Sequence, residues 1–142
     1  MANPKKVLVA DDEDPFLVSI RDFLEDEGFA VICVDNAQDL LANIRTVDAL
    51  VVDARLPKEK NVIPQPEAFG GVETISKLLQ DEVLSEAIPV IFISVLTQDD
   101  FLVSRGRDIS IPKERYTWFQ KLFELEYLAS TIHNQLRLRT GG

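Results

Sequence analysis

Val7-Leu8-Val9-Ala10-Asp11-Asp12-Glu13-Asp14-Pro15 changes character twice in nine residues. Its first four positions are all apolar, with β-branched Val7 and Val9, so both faces of an extended segment would be buried. That pattern suits a parallel strand covered on each side by helices. The run breaks at two adjacent aspartates. Asp14-Pro15 then reads as an N-cap followed by Pro at the first helical turn. Phe16, Ile20, Phe23 and Leu24 recur at helical spacing, and Gly28 closes the helix. The stretch is therefore a strand, an acidic turn and a helix.

The same unit repeats outward from there. Ala30–Val34 reads as a second strand, and Asn36 as the cap of a helix carrying Leu40, Leu41 and Ile44. Ala49–Val52 is a third buried strand, ending at Asp53. Pro57 to Gly71 holds Pro57, Pro64 and Pro66 and reads as a long loop. Helical spacing resumes from Gly71 to Gln80. Pro89–Ile93 is a fourth strand, ending at Ser94. Thr97 to Arg105 reads as a short helix, Asp108–Ile111 as a fifth strand, and Glu114 to about Leu138 as a long helix. Strands alternating with helices predict a doubly wound α/β fold, a five-stranded parallel sheet with helices on both faces.

Composition narrows the function. The 142 residues predict one domain, with a core over about 5–130 and a helical extension and tail over 131–142. A formal net charge of −9 argues against direct binding to nucleic acid or an anionic membrane, which need a positive face. Nothing approaches the roughly 20 apolar residues of a membrane span, and Asp11-Asp12 interrupts any signal-like apolar segment. The single cysteine, Cys33, forms no internal disulfide. These features predict a cytoplasmic protein.

In a sheet of this kind the site lies at the carboxyl ends of the strands. That edge is expected to gather Asp11, Asp12, Asp53, Ser94 and Lys113. Clustered carboxylates raise one another's pKa unless a cation sits among them, and hard oxygen ligands suit Mg²⁺. A carboxylate can also attack a phosphoryl group to give an acyl phosphate, with a metal, a lysine and a hydroxyl meeting the phosphoryl oxygens.

Four motifs in order strengthen this reading. Val7–Glu13 resembles the opening of the response-regulator receiver family. Val51-Val52-Asp53-Ala54-Arg55-Leu56-Pro57 is similar to its phosphoacceptor strand, Pro89–Ser94 to its fourth strand, and Ile111-Pro112-Lys113 to its fifth strand and lysine. The resemblance covers about residues 5–130. It implies a flavodoxin-like strand order 2-1-3-4-5 and Asp53 as the phosphoacceptor. It implies Mg²⁺ on Asp12, Asp53 and the backbone carbonyl of Arg55, with Asp11 nearby through water. Lys113 would pair with a phosphoryl oxygen, and Ser94 would move to bond another. The implied partners are a histidine kinase or phosphotransfer protein and an output protein. The chain would be a switch rather than an enzyme.

Some positions depart from the family. Val95 stands where a small residue is usual, Ser110 where an aromatic is usual three before the lysine, and Glu114 where proline usually follows it. The loop after Asp53 is about a dozen residues longer than usual. These departures leave an alternative, a degenerate receiver serving as a phosphorylation-independent interaction module. A haloacid-dehalogenase-type phosphatase would need an aspartate at Arg55, and a dinucleotide-binding fold would need a Gly-rich turn at Asp11-Asp12-Glu13. Glu13 and Asp14 read as solvent charge and a helix cap, and His133 as an exposed bystander. Trp118, Leu122, Leu125, Ala129, Ile132 and Leu136 follow a heptad-like spacing. The plain reading is a helix face on the sheet; the other is a homodimer contact through a C-terminal helix protruding past Ala129.

Overall fold

The computed structural model describes residues 4–60, 69–104, 111–121 and 123–139. Five parallel strands run in the order 2-1-3-4-5: β1 (Lys6–Ala10), β2 (Ala30–Val34), β3 (Ala49–Asp53), β4 (Val90–Ser94) and β5 (Tyr116–Gln120). Between and after them lie α1 (Asp14–Asp26), α2 (Ala37–Asn43), α3 (Gly70–Gln80), α4 (Gln98–Ser104) and α5 (Leu125–Arg139). The doubly wound order anticipated from the motifs is the one observed.

Strand alternation divides the interior into two layers. Val7 and Val9 of β1, with Ala49 and Val51 of β3, face α1 and α5, where Ile20, Leu24, Leu128 and Ile132 are buried. Leu8, Ala10, Leu50 and Val52 face the other way, onto Leu40, Ile75 and Phe101 of α2, α3 and α4. Local signals place the helices. Asn36 caps α2, its Oδ1 accepting from the Asp39 N–H at 2.8 Å. Gly28 ends the α1 region at φ +98°, a backbone conformation open to glycine. The cap of α1 is Glu13 rather than Asp14, which is the first helical residue.

The C-terminal third departs from the sequence reading. Of the strand expected over Asp108–Ile111, only Ile111 lies within the described residues, and it is outside any strand. The fifth strand is Tyr116–Gln120, inside what was expected to be a long helix from Glu114. Tyr116-Thr117-Trp118-Phe119 is aromatic and β-branched, a composition that favours strands. The heptad-like spacing was therefore coincidental: Trp118 sits in β5, while Ile132 and Leu136 are buried against the sheet rather than carried on a protruding helix. Most of the loop expected after Pro57, residues 61–68, lies outside the described residues, as do Ser110 and Leu122.

Candidate functional site: an acidic pocket closed by a lysine

Four strand ends build the pocket. β1 delivers Asp11, Asp12 and Glu13, β3 delivers Asp53, β4 delivers Ser94, and β5 delivers Lys121. The two buried acids, Asp11 and Asp53, are each fixed by the turn that follows their strand. Asp11 Oδ1 accepts the Glu13 N–H at 2.8 Å, and Asp53 Oδ1 accepts the Arg55 N–H at 2.9 Å. Short bonds of this kind lock carboxylates at turns. The Lys121 N–H donates to the Ser94 carbonyl at 2.6 Å, pinning the end of β5 to the end of β4.

Lys121 is the cation that pairs with the acids of the pocket. Its Nζ stands 2.5 Å from Glu13 Oε1, 3.2 Å from Asp11 Oδ2 and 3.3 Å from Asp53 Oδ2. It also lies 5.1 Å from the centroid of the Phe16 ring. Lys113, the lysine assigned from sequence, is exposed in a short 3-10 turn three residues before β5 begins. β5 runs parallel to its neighbours, so Lys113 is at the amino edge of the sheet, a strand's length from the acids. A five-residue strand spans roughly 15 Å. Reassigning the lysine removes one departure and keeps another: the residue three before Lys121 is the aromatic Trp118, but Leu122, not proline, follows it in the sequence. Trp118 Nε1 donates to the Leu96 carbonyl at 2.9 Å, and its ring stacks on Phe101.

The remaining expected residues converge. Asp11, Asp53 and Ser94 are buried and Asp12 is exposed. A cavity of about 320 Å³ is lined by Asp12, Glu13, Asp53, Arg55, Ser94, Val95 and Lys121. Two larger clefts, about 760 and 450 Å³, lie away from these acids, between loop and helix surfaces. Val95 remains a departure; it is 58% exposed and stands at the rim. Glu13, which sequence reading left to solvent, makes the shortest contact to Lys121.

Burial governs the electrostatics. Loss of solvent, then the neighbouring Asp53 charge, pushes Asp11 up to about 7, against the Glu13 N–H and Lys121. Burial likewise raises Asp53, opposed by the Arg55 N–H and Lys121. Burial alone would lower Lys121; its bond to Glu13 and the charges of Asp53 and Asp11 outweigh that and raise it. Asp11 Oδ2 is buried, and its partner is the Lys121 ammonium 3.2 Å away, an ion pair rather than an aligned hydrogen bond. Asp11, Asp12 and Asp53 each offer an oxygen, all within 4.8 Å of one another. Hard oxygen donors grouped this closely fit a divalent cation such as Mg²⁺.

Residues 7–111 match the model of the response regulator receiver domain. The chain belongs to that family. This receiver is 30% identical over 96 residues to Protein RcaC of Microchaete diplosiphon, across 66% of this chain but 13% of that protein. Solved structures share its fold. A CheY-like receiver from Methanospirillum hungatei JF-1 is 20% identical, with a TM-score of 0.70 over 97% of this chain and 98% of its own. The signal receiver domain of an HD domain-containing protein from Pseudomonas fluorescens Pf-5 is 13% identical, with a TM-score of 0.73 over 98% and 99%. The family match ends at Ile111, short of β5 and Lys121. Among the described residues, no helix is long and apolar enough to cross a membrane.

Proposed function

We propose that this receiver is a phosphoacceptor switch in which Asp53 takes a phosphoryl group from the phosphohistidine of a histidine kinase or phosphotransfer protein. An Asp53 carboxylate oxygen attacks phosphorus, the P–N bond breaks, and the imidazole leaves with the bonding pair. The observation that carries this reading is the Lys121 ammonium, 3.3 Å from the buried Asp53 carboxylate at the floor of an open cavity. Lys121 meets one phosphoryl oxygen, and the Ser94 hydroxyl meets another by giving up the Leu96 N–H it accepts at 3.1 Å. Asp12, Asp53 and the Arg55 carbonyl would hold Mg²⁺ directly, with Asp11 through water. That ion supplies charge neutralisation for the incoming phosphoryl group.

Trp118 gives the switch an outlet. Its indole is bonded to Leu96, whose own N–H is bonded to Ser94. Movement of Ser94 therefore alters the surface of α4 and β5, where an output protein would read it. The chain acts as a switch, promoting only its own phosphoryl transfer and loss.

The test is intact mass after incubation with acetyl phosphate and Mg²⁺. The parent gains one phosphoryl group, and Asp53→Asn or EDTA abolishes the gain. Lys121→Met slows it at least tenfold, and Lys113→Met leaves it unchanged. Val95 at the rim favours the second reading, a phosphorylation-independent interaction module. A folded parent that gains no mass with Mg²⁺ would overturn the first reading and favour the second.

A further inference from the structure

We infer that Glu13 is a positioning residue that draws the Lys121 ammonium aside, so that a divalent cation can take the carboxylates. The inference rests on the phosphoacceptor reading and concerns the same pocket. Lys121 Nζ touches three acids unequally. Asp11 and Asp53 are 3.2 and 3.3 Å away, whereas Glu13 Oε1, on the solvent side, is 2.5 Å away. Asp11 and Asp53 are also oxygens that a metal would need or orient. The lysine is therefore an internal rival for them: a monovalent cation, covalently held, at high local concentration.

Two groups from the start of α1 resolve the rivalry. Glu13 is the N-cap residue of that helix, and Phe16 is one turn into it. Glu13 supplies a carboxylate outside the group formed by Asp11, Asp12 and Asp53, on the solvent side, where its side chain is 58% exposed. Phe16 supplies a ring face 5.1 Å from Nζ. Cations are attracted to such faces. The Phe16 ring is braced edge-on by Phe123, at 5.8 Å between centroids. When a cation enters, the ammonium cedes Asp53 yet keeps a charged partner within reach. Lys121 thus stays at the pocket mouth, positioned to meet a phosphoryl oxygen. Without Glu13, its partners are Asp11 and Asp53, and it holds them against the metal.

Charge alone offers another route, since an extra carboxylate attracts Mg²⁺ at a distance. The two routes separate in a double-mutant cycle. Mg²⁺ affinity is measured by titration calorimetry on the full chain as parent, Glu13→Gln, Lys121→Met and the double variant. Lys121→Gln replaces the Met variant if that chain does not fold. Glu13→Gln is expected to weaken Mg²⁺ binding three- to tenfold, and Lys121→Met to strengthen it. In the Lys121→Met background, Glu13→Gln is expected to change affinity less than twofold. An equal loss with and without the lysine would overturn the proposal, because Glu13 would then act by charge alone. So would an unchanged affinity in Glu13→Gln with the lysine present. A parent that binds no Mg²⁺ would overturn the phosphoacceptor reading and this proposal together. A parent that binds it, in a cycle without coupling, would overturn this proposal alone.

Discussion

At the residue scale the pocket is decided by where single charges end up. Asp11, Asp12, Asp53 and Ser94 were legible because each directly follows or ends a strongly apolar strand, and such strands announce their own ends. The lysine was not, because Ile111-Pro112-Lys113 imitates the expected local pattern while the true strand is at an edge, with half-exposed residues and a weaker apolar signature. Glu13 was invisible for a different reason: its partner is 108 positions away in sequence. Asp11 carries a pH prediction. Its folded pKa, about 7, lies above its ordinary 3.8. A group raised by folding contributes stability at low pH and loses it as pH rises through the folded value. In EDTA, stability to urea should therefore fall between about pH 4 and pH 7, by at most about 1.4 kcal/mol per pH unit from this group. Asp11→Asn should remove that part of the slope, and saturating Mg²⁺ should suppress it by holding the carboxylate ionised. Parent and variant slopes that coincide in EDTA would refute the assignment.

At the element scale, the start of α3 is fitted directly against the end of β3, the strand that carries Asp53. A Cβ on Gly71 would lie 2.0 Å from the Asp53 carbonyl oxygen, and one on Gly70 would lie 2.2 Å from that of Leu56. The Gly71 N–H also donates to the Ala54 carbonyl at 3.1 Å. Glycine to alanine normally favours a helix by about 1 kcal/mol. Here the methyl group meets backbone that cannot swing away, so the sign reverses. Gly71→Ala should cost about 1–3 kcal/mol, the range for overpacking, and should slow phosphorylation by shifting Asp53. Gly28→Ala, strained by its φ of +98° but remote from the acids, should cost stability and spare phosphorylation. Denaturant melts beside mass-detected phosphorylation rates separate the two effects. A Gly71→Ala chain with parental rate and stability would show that the helix start can yield. Sequence put a helix start at Gly71 from turn chemistry and periodicity; the reason for two adjacent glycines is a tertiary contact, which no local pattern contains.

On the scale of the whole molecule, the doubly wound sheet followed from strand and helix alternation, and its strand order from the family resemblance. Both survive the misplacement of the last strand, because a parallel strand after α4 closes the same edge wherever its bounds fall. The C-terminal helix was harder: its apolar positions fit a seam between chains as well as a face on the sheet, and only burial of Ile132 and Leu136 decides between them. Among the described residues, β5 pairs on one side only, with β4. Its far end is tied down by Lys121, through the backbone bond to Ser94 and through the three acids. The edge strand is thus fastened partly by an electrostatic clasp, and anything that competes with the ammonium for the acids must loosen the clasp to the same degree, since linkage is reciprocal. Amide hydrogen exchange should register it. Mg²⁺ is expected to speed exchange at Lys121, whose N–H is bonded to Ser94, while leaving Leu8 and Val51 in the sheet centre protected, and equal protection in Mg²⁺ and EDTA would argue against a clasp. Metal loading and the breathing of the outermost strand would then be one equilibrium, with the phosphoryl group restoring the tie that the metal relaxes.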